Sequence, residues 1–141
     1  MFSFKAMEKT TKIFDAKPDM LDKVIAFAEE EMSKIDVPLK DQMKINVSLE
    51  ELFVNVAHYA YPDGVGTAEI TITTEDRKIT IEIKDSGIPF NPLLAADPDI
   101  SLSAEDRGIG GLGILMVKKT MDEFTYRYEN SFNINTISKL F

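Results

Sequence analysis

Residues 68–85 read Ala68-Glu69-Ile70-Thr71-Ile72-Thr73-Thr74-Glu75-Asp76-Arg77-Lys78-Ile79-Thr80-Ile81-Glu82-Ile83-Lys84-Asp85. Ala68, Ile70 and Ile72 alternate with Glu69, Thr71 and Thr73, and Ile79, Ile81 and Ile83 alternate with Thr80, Glu82 and Lys84. Side chains two apart share a face of a strand, so the stretch predicts a hairpin with one apolar side, joined through the polar Glu75-Asp76-Arg77-Lys78. Such a sheet needs a cover, and two helical patterns lie upstream. Met20, Val24, Phe27, Ala28, Met32 and Ile35 recur at three- and four-residue spacing until Asp36-Val37-Pro38. A second helix runs from about Leu39 to Tyr59, with Ile45, Leu49, Leu52, Val56 and Ala60 in one stripe, and Tyr61-Pro62-Asp63-Gly64 stops it. Residues 10–16 read as a first strand.

Downstream of the hairpin, residues 86–107 carry Pro89, Pro92 and Pro98 and no sustained period. They form a long loop, of a length that in a compact domain usually serves function. A glycine-rich run from Gly108 to Gly113 opens a helix to about Met121, and closing strands follow near 124–129 and 133–140. This order of elements predicts an α+β two-layer sandwich, with helices on one face of a mixed, largely antiparallel sheet. The 141 residues are expected to form one domain over 1–141.

Composition narrows the function. With 44% hydrophobic and 28% charged residues the chain is of soluble globular type, and no run approaches the roughly 20 apolar residues of a membrane span. The first residues lack the layout of a signal peptide, so a cytoplasmic protein is expected. The absence of cysteine excludes disulfides, thiolate metal sites and a thiol nucleophile, and a single histidine excludes a multi-histidine metal centre. A net charge of −8 argues against nucleic acid as a partner. Residues 41–100 hold 4 basic and 11 acidic side chains, which is nearly the whole excess.

Three places break the local rules. On the second helix Glu51, Asn55 and His58 lie within about 60° of one another, off the apolar stripe and flanked on the far side by Val47 and Val54. This is either a solvated face or a pocket wall, on which a carboxylate and an amide one turn apart suit a hydrated magnesium ion. Asp85 has the parity of Ile79, Ile81 and Ile83. Either the strand ends at Lys84, or a carboxylate points to the apolar side and needs donors, such as a ligand's amino group, with Gly87 letting the ligand approach the backbone. Finally, Gly108-Ile109-Gly110-Gly111-Leu112-Gly113 offers unobstructed backbone N–H groups at a helix N-terminus, suited to phosphate. The run also fits the dinucleotide fingerprint G-x-G-x-x-G, but no strand precedes it and no βαβ unit can be built around it. Together the three features specify a nucleotide with its base near Asp85, its phosphates near the glycines and magnesium near Asn55.

These residues resemble a known family. Glu51-Leu52-Phe53-Val54-Asn55 resembles the N box of the GHKL (Bergerat-fold) ATPases, Asp85-Ser86-Gly87-Ile88-Pro89-Phe90 their G1 box and Gly111-Leu112-Gly113-Ile114 their G2 box. Pro89-Phe90-Asn91-Pro92 and Lys118-Lys119-Thr120-Met121-Asp122-Glu123 are similar to the anti-sigma-factor serine kinase branch. The resemblance implies that Asn55 coordinates Mg2+, that Glu51 is the general base for a serine hydroxyl, and that Asp85 accepts from the adenine amino group. It implies that Gly87 packs against the base and that Gly111 and Gly113, helped by Gly108 and Gly110, hold the phosphates of ATP. It makes residues 93–107 a mobile lid, within a loop from about 88 to 110, and gives Thr136 the place of the family's strand threonine near adenine. The family's frequent histidine falls at Tyr59 here, the nearest lid arginine is Arg107, slightly upstream of its usual place, and Asn135-Thr136 stands for the usual Gly-Thr.

The resemblance thus implies a serine/threonine kinase of the anti-sigma type. It would phosphorylate an anti-anti-sigma (STAS) protein and alternately sequester a sigma factor. A non-catalytic ATP/ADP-sensing module and a detached histidine-kinase ATPase domain are the alternatives, and retention of Glu51 favours catalysis. Met20, Phe27 and Met32 on the first helix, and Phe2 and Phe4, are either core or contact surfaces, including for a homodimer.

Overall fold

The computed structural model describes residues 6–94 and 111–141. Five strands form one sheet: β1 (Glu8–Asp15), β2 (Thr67–Glu75), β3 (Lys78–Asp85), β4 (Glu123–Glu129) and β5 (Phe132–Leu140), in the order β1-β2-β3-β5-β4. All four pairings among the described residues are antiparallel, so no parallel pair makes the sheet mixed there. Three helices cover one face: α1 (Leu21–Ser33), α2 (Leu39–Asn55) and α3 (Gly111–Thr120). The hairpin forms as its alternation requires, with Asp76-Arg77 as the turn and Arg77 in the left-handed region at φ 63°. Asn130 and Ser131, at φ 53° and 67°, turn the chain from β4 to β5. Two positive φ values give the turn a twist matching that of the strands.

The inner face carries Ile70, Ile72, Ile79, Ile81, Ile83 and Ile137, all buried. Val24, Phe27, Ala28 and Met32 of α1, Ile45, Leu49, Leu52 and Phe53 of α2, and Ile114 and Val117 of α3 pack onto it. The stripes at helical spacing are therefore core. Phe27 and Met32, two of the candidate contact residues, belong to that core, while Phe2 and Phe4 lie outside the described residues. Over β2 and β3 the outer face is polar, with Glu69, Thr71, Thr73, Thr80, Glu82 and Lys84 in register. Among the described residues no helix is long and apolar enough to cross a membrane.

Two features shape the cleft at the end of α2. Helix α2 does not end at Asn55 but continues as a π-helical turn, Val56–Ala60, a widened geometry that is frequent at functional sites. Strand β3 persists through Asp85, which pairs with Ala68 on one side and Asn133 on the other.

Candidate active site

The cleft opens between the end of α2 and the edge of the sheet's inner face. Leu52, Asn55, Val56, Tyr59 and Ala60 line it from α2 and its π turn, and Asn133 and Asn135 from β5. Asp85 closes its inner end, and Ile88, Pro89, Phe90 and Pro92 form its other wall. Asp85 points inward because it holds the parity of the β3 isoleucines, and it is only 4% exposed. Its Oδ1 accepts from Gly87 N at 2.9 Å and from Asn133 Nδ2 at 2.9 Å. Oδ2 takes no hydrogen bond among the described residues. Burial raises the pKa of the carboxyl, and the bonds from Asn133 and Gly87 oppose that rise. A buried carboxylate with one oxygen held and the other free is an acceptor awaiting a donor.

Asn133 also holds the loop beyond Asp85. Its Nδ2 donates to Ile88 O at 2.9 Å, and its Oδ1 accepts from Phe90 N at 3.1 Å and from the Tyr126 hydroxyl. From the other side Ile88 N donates to Ala60 O at 2.9 Å, and Ser86 N to the Tyr61 hydroxyl at 3.0 Å. Gly87 is packed against the backbone of Ala60, whose carbonyl a β-carbon would overlap. Its lack of a side chain thus has a cause within the fold, the close approach of the loop to the π turn.

Glu51 lies one turn before Asn55 and half-buried, outside the lining of the cleft and against the first turn of α3. A β-carbon on Gly113 would collide with its carboxylate. Burial, then the neighbouring charge of Glu50, raises its pKa, which suits a proton acceptor at neutral pH. Asn55 faces the cleft, so of the two alternatives the pocket wall holds at this residue. Among the described residues no group of three or more His, Asp or Glu is placed to hold a metal. Magnesium needs no such cage, being held by one or two protein oxygens with substrate phosphates and water, so Asn55 beside the Glu51 carboxylate fits it. Gly111 is the first residue of α3, and Gly108, Gly110, Arg107 and nearly all of the expected lid lie outside the described residues.

One reading changes. Thr136 pairs with Glu82 and Thr125, so it shares the sheet's outer face with Glu82, away from the cleft. Its neighbour Asn135 is the residue that faces in. His58 is exposed, and Tyr59 lines the cleft beside it. Asn133 and Asn135 were absent from the sequence-derived site. Their signal was their shared parity with Ile137, which places all three on the face of Asp85.

The model of the histidine kinase-like ATPase domain matches residues 14–139. The chain belongs to this family. Membership implies ATP use, and the helices-on-sheet architecture is that of the histidine kinase-like ATPases. The chain is similar to the anti-sigma F factor of Clostridium acetobutylicum, 25% identical over 76% of this chain and 75% of that protein. It is similar to the serine/threonine-protein kinase BtrW of Bordetella bronchiseptica, 23% identical over 67% of each. The serine-protein kinase RsbW of Bacillus mycoides is 21% identical over 67% of this chain and 61% of that one. In structure the chain is similar to a crystal structure of RsbU and RsbW domains from Mycobacterium tuberculosis, with TM-score 0.66 and 15% identity. That match covers 94% of this chain but 32% of that longer one. These likenesses support membership of the anti-sigma kinase group of ATPases.

Proposed function

We propose that the chain is an ATP- and Mg2+-dependent serine-protein kinase of the anti-sigma type. It transfers the γ-phosphoryl group to a serine of an anti-anti-sigma (STAS) protein and sequesters a sigma factor by partner switching. The observation that carries this reading is the presence of two carboxylates with different surroundings. Asp85 is fixed at the inner end of an apolar cleft with one oxygen free, and Glu51 stands against the first turn of α3.

In this reading Asp85 Oδ2 accepts from the amino group of adenine, and Tyr59, Ile88 and Phe90 flank the ring. The N-terminus of α3 holds the phosphates with its free N–H groups. Asn55 holds magnesium, which when bound neutralises charge on the phosphates. Glu51 takes the proton of the attacking serine hydroxyl as the new O–P bond forms, the bond to the β–γ bridging oxygen breaks and ADP leaves. The names of the three relatives support kinase and anti-sigma action; no residue assignment rests on them. Calorimetric titration with ATP and magnesium tests the site. Asp85→Asn is expected to lower affinity at least 100-fold while Glu51→Gln retains it. Undiminished binding by Asp85→Asn would remove adenine from this cleft.

A further inference from the structure

Helix α2 is apolar on two sides. Ile45, Leu49, Leu52 and Phe53 face the core and are buried. At about 100° per residue, Leu39, Met43 and Val47 lie on the opposite side, four residues apart, and are 71%, 63% and 46% exposed. Helix α3 continues this row. Its Gly113 stands against Glu51, and its Thr120 hydroxyl lies 3.5 Å from that of Ser48. Met116, midway between those two contacts and 44% exposed, therefore comes up beside Val47. Exposed apolar residues scattered singly are normal, but four large ones in a row mark a contact surface. Methionine, which supplies two of the four, is enriched in interfaces and adapts its shape to what it meets.

Position and charge say what covers the row. It runs along the helix that carries Glu51 and reaches the flank of that residue at Val47 and Met116. A folded protein that brings a serine to Glu51 covers about 800 Å² around it, a patch about 16 Å in radius. At about 1.5 Å per residue, that radius takes in Val47 and Met43 on α2 as well as Met116. On the side toward α3 the row is bordered by Lys40, Lys44 and Lys119, and Glu50 lies on the other flank. This basic border sits on a chain of net charge −8. It steers acidic side chains of a partner to an edge that the rest of the molecule would repel.

We propose that the outward row on α2 and α3 is the docking surface of the phosphoacceptor protein, which meets Leu39, Met43, Val47 and Met116 with an apolar patch and the bordering lysines with carboxylates. The inference rests on the reading of Glu51 as the base of a serine-protein kinase, and it adds where the protein substrate sits.

The test follows phosphoserine formation at saturating ATP and magnesium over a range of concentrations of the cognate STAS-domain protein. The double variant Met43→Ser with Val47→Ser, changed only at exposed positions, is expected to raise KM for that protein at least tenfold, with kcat and ATP affinity unchanged. Lys40→Glu with Lys119→Glu is expected to raise KM as well, most at low salt. Ile13→Ser, on the outer face of the sheet and 67% exposed, is expected to change neither constant. An unchanged KM in both double variants, while the unmodified chain transfers phosphate, would overturn the docking surface and leave the kinase reading standing. A shift of the Met43→Ser, Val47→Ser variant from dimer to monomer in sedimentation, with KM unchanged, would overturn it too and assign the row to contact between copies. Tight ATP binding without transfer by the unmodified chain at any acceptor concentration would overturn the kinase reading and this inference with it.

Discussion

Asp85 is 4% exposed and half answered, with two donors on one oxygen and none on the other among the described residues. Its raised pKa means that the folded state binds a proton more readily than the unfolded chain does. Stability therefore falls as pH rises from the unfolded value through the raised one, and above the raised value the ionised carboxylate is a standing cost. Asp85→Asn keeps an acceptor for Gly87 and Asn133 and removes the charge. In the absence of ligand it is expected to raise Tm at pH 7 by a few degrees, on the order of 1 kcal/mol. The gain should vanish as pH falls through the raised pKa, where the native carboxyl is already neutral. A lower Tm for Asp85→Asn at pH 7 would show that the carboxylate stabilises the fold. Asn133 acts on the same group from outside. Its bond opposes the rise in the Asp85 pKa, so its loss lets the pKa climb further. Asn133→Ser should accordingly move the acid limb of ATP affinity to higher pH. Affinity that declines equally at every pH would leave Asn133 a scaffold only.

At the scale of elements, the site arises where α2, β3 and β5 converge with the start of α3. The contact of Gly113 with Glu51 ties α3 to α2 at that point. A methyl group there meets the far end of a flexible side chain rather than backbone, so the fold can yield by moving the carboxylate. Gly113→Ala is expected to shift Tm by no more than a few degrees and to lower phosphoryl transfer at least tenfold through the displaced base. Full activity would separate Gly113 from the position of Glu51. Much of this layer was legible in the sequence. The alternation of Ile79, Ile81 and Ile83 placed Asp85 inside once the strand was known to continue. The helical spacing placed Asn55 on the cleft. Thr136 was misplaced by one residue because side chains on a strand alternate, and matching by residue type ignores that period. The partner of Asp85 was hidden for another reason. Asn133 lies 48 residues away, and only the β3–β5 register brings the two together.

Over the whole molecule, a net charge of −8 is concentrated in residues 41–100, and four of those acids have distinct surroundings. Glu69 and Glu82 lie on the outer face of the sheet, each beside a base, with Lys84 at 4.0 Å from Glu69 and Arg127 at 3.3 Å from Glu82. Asp85 turns inward, and Glu51 stands half-buried against the start of α3. Such surface pairs add little to stability, and the excess acid gives no help to an anionic ligand. In the proposed reading the phosphates therefore rely on the α3 N-terminus and on magnesium. ATP affinity is expected to fall at least tenfold when magnesium is removed by excess chelator. Equal affinity with and without the metal would contradict that division of labour.

The central claim is that Glu51 is the base of a serine kinase. It is tested most directly by incubating the chain with γ-labelled ATP, magnesium and its cognate STAS-domain protein, and measuring phosphoserine over time beside ATP affinity. The expected result is stoichiometric phosphoserine from the unmodified chain, with Glu51→Ala slower by at least 100-fold at unchanged ATP affinity. Tight ATP binding with no transfer to the serine, or transfer by Glu51→Ala at the original rate, would contradict it.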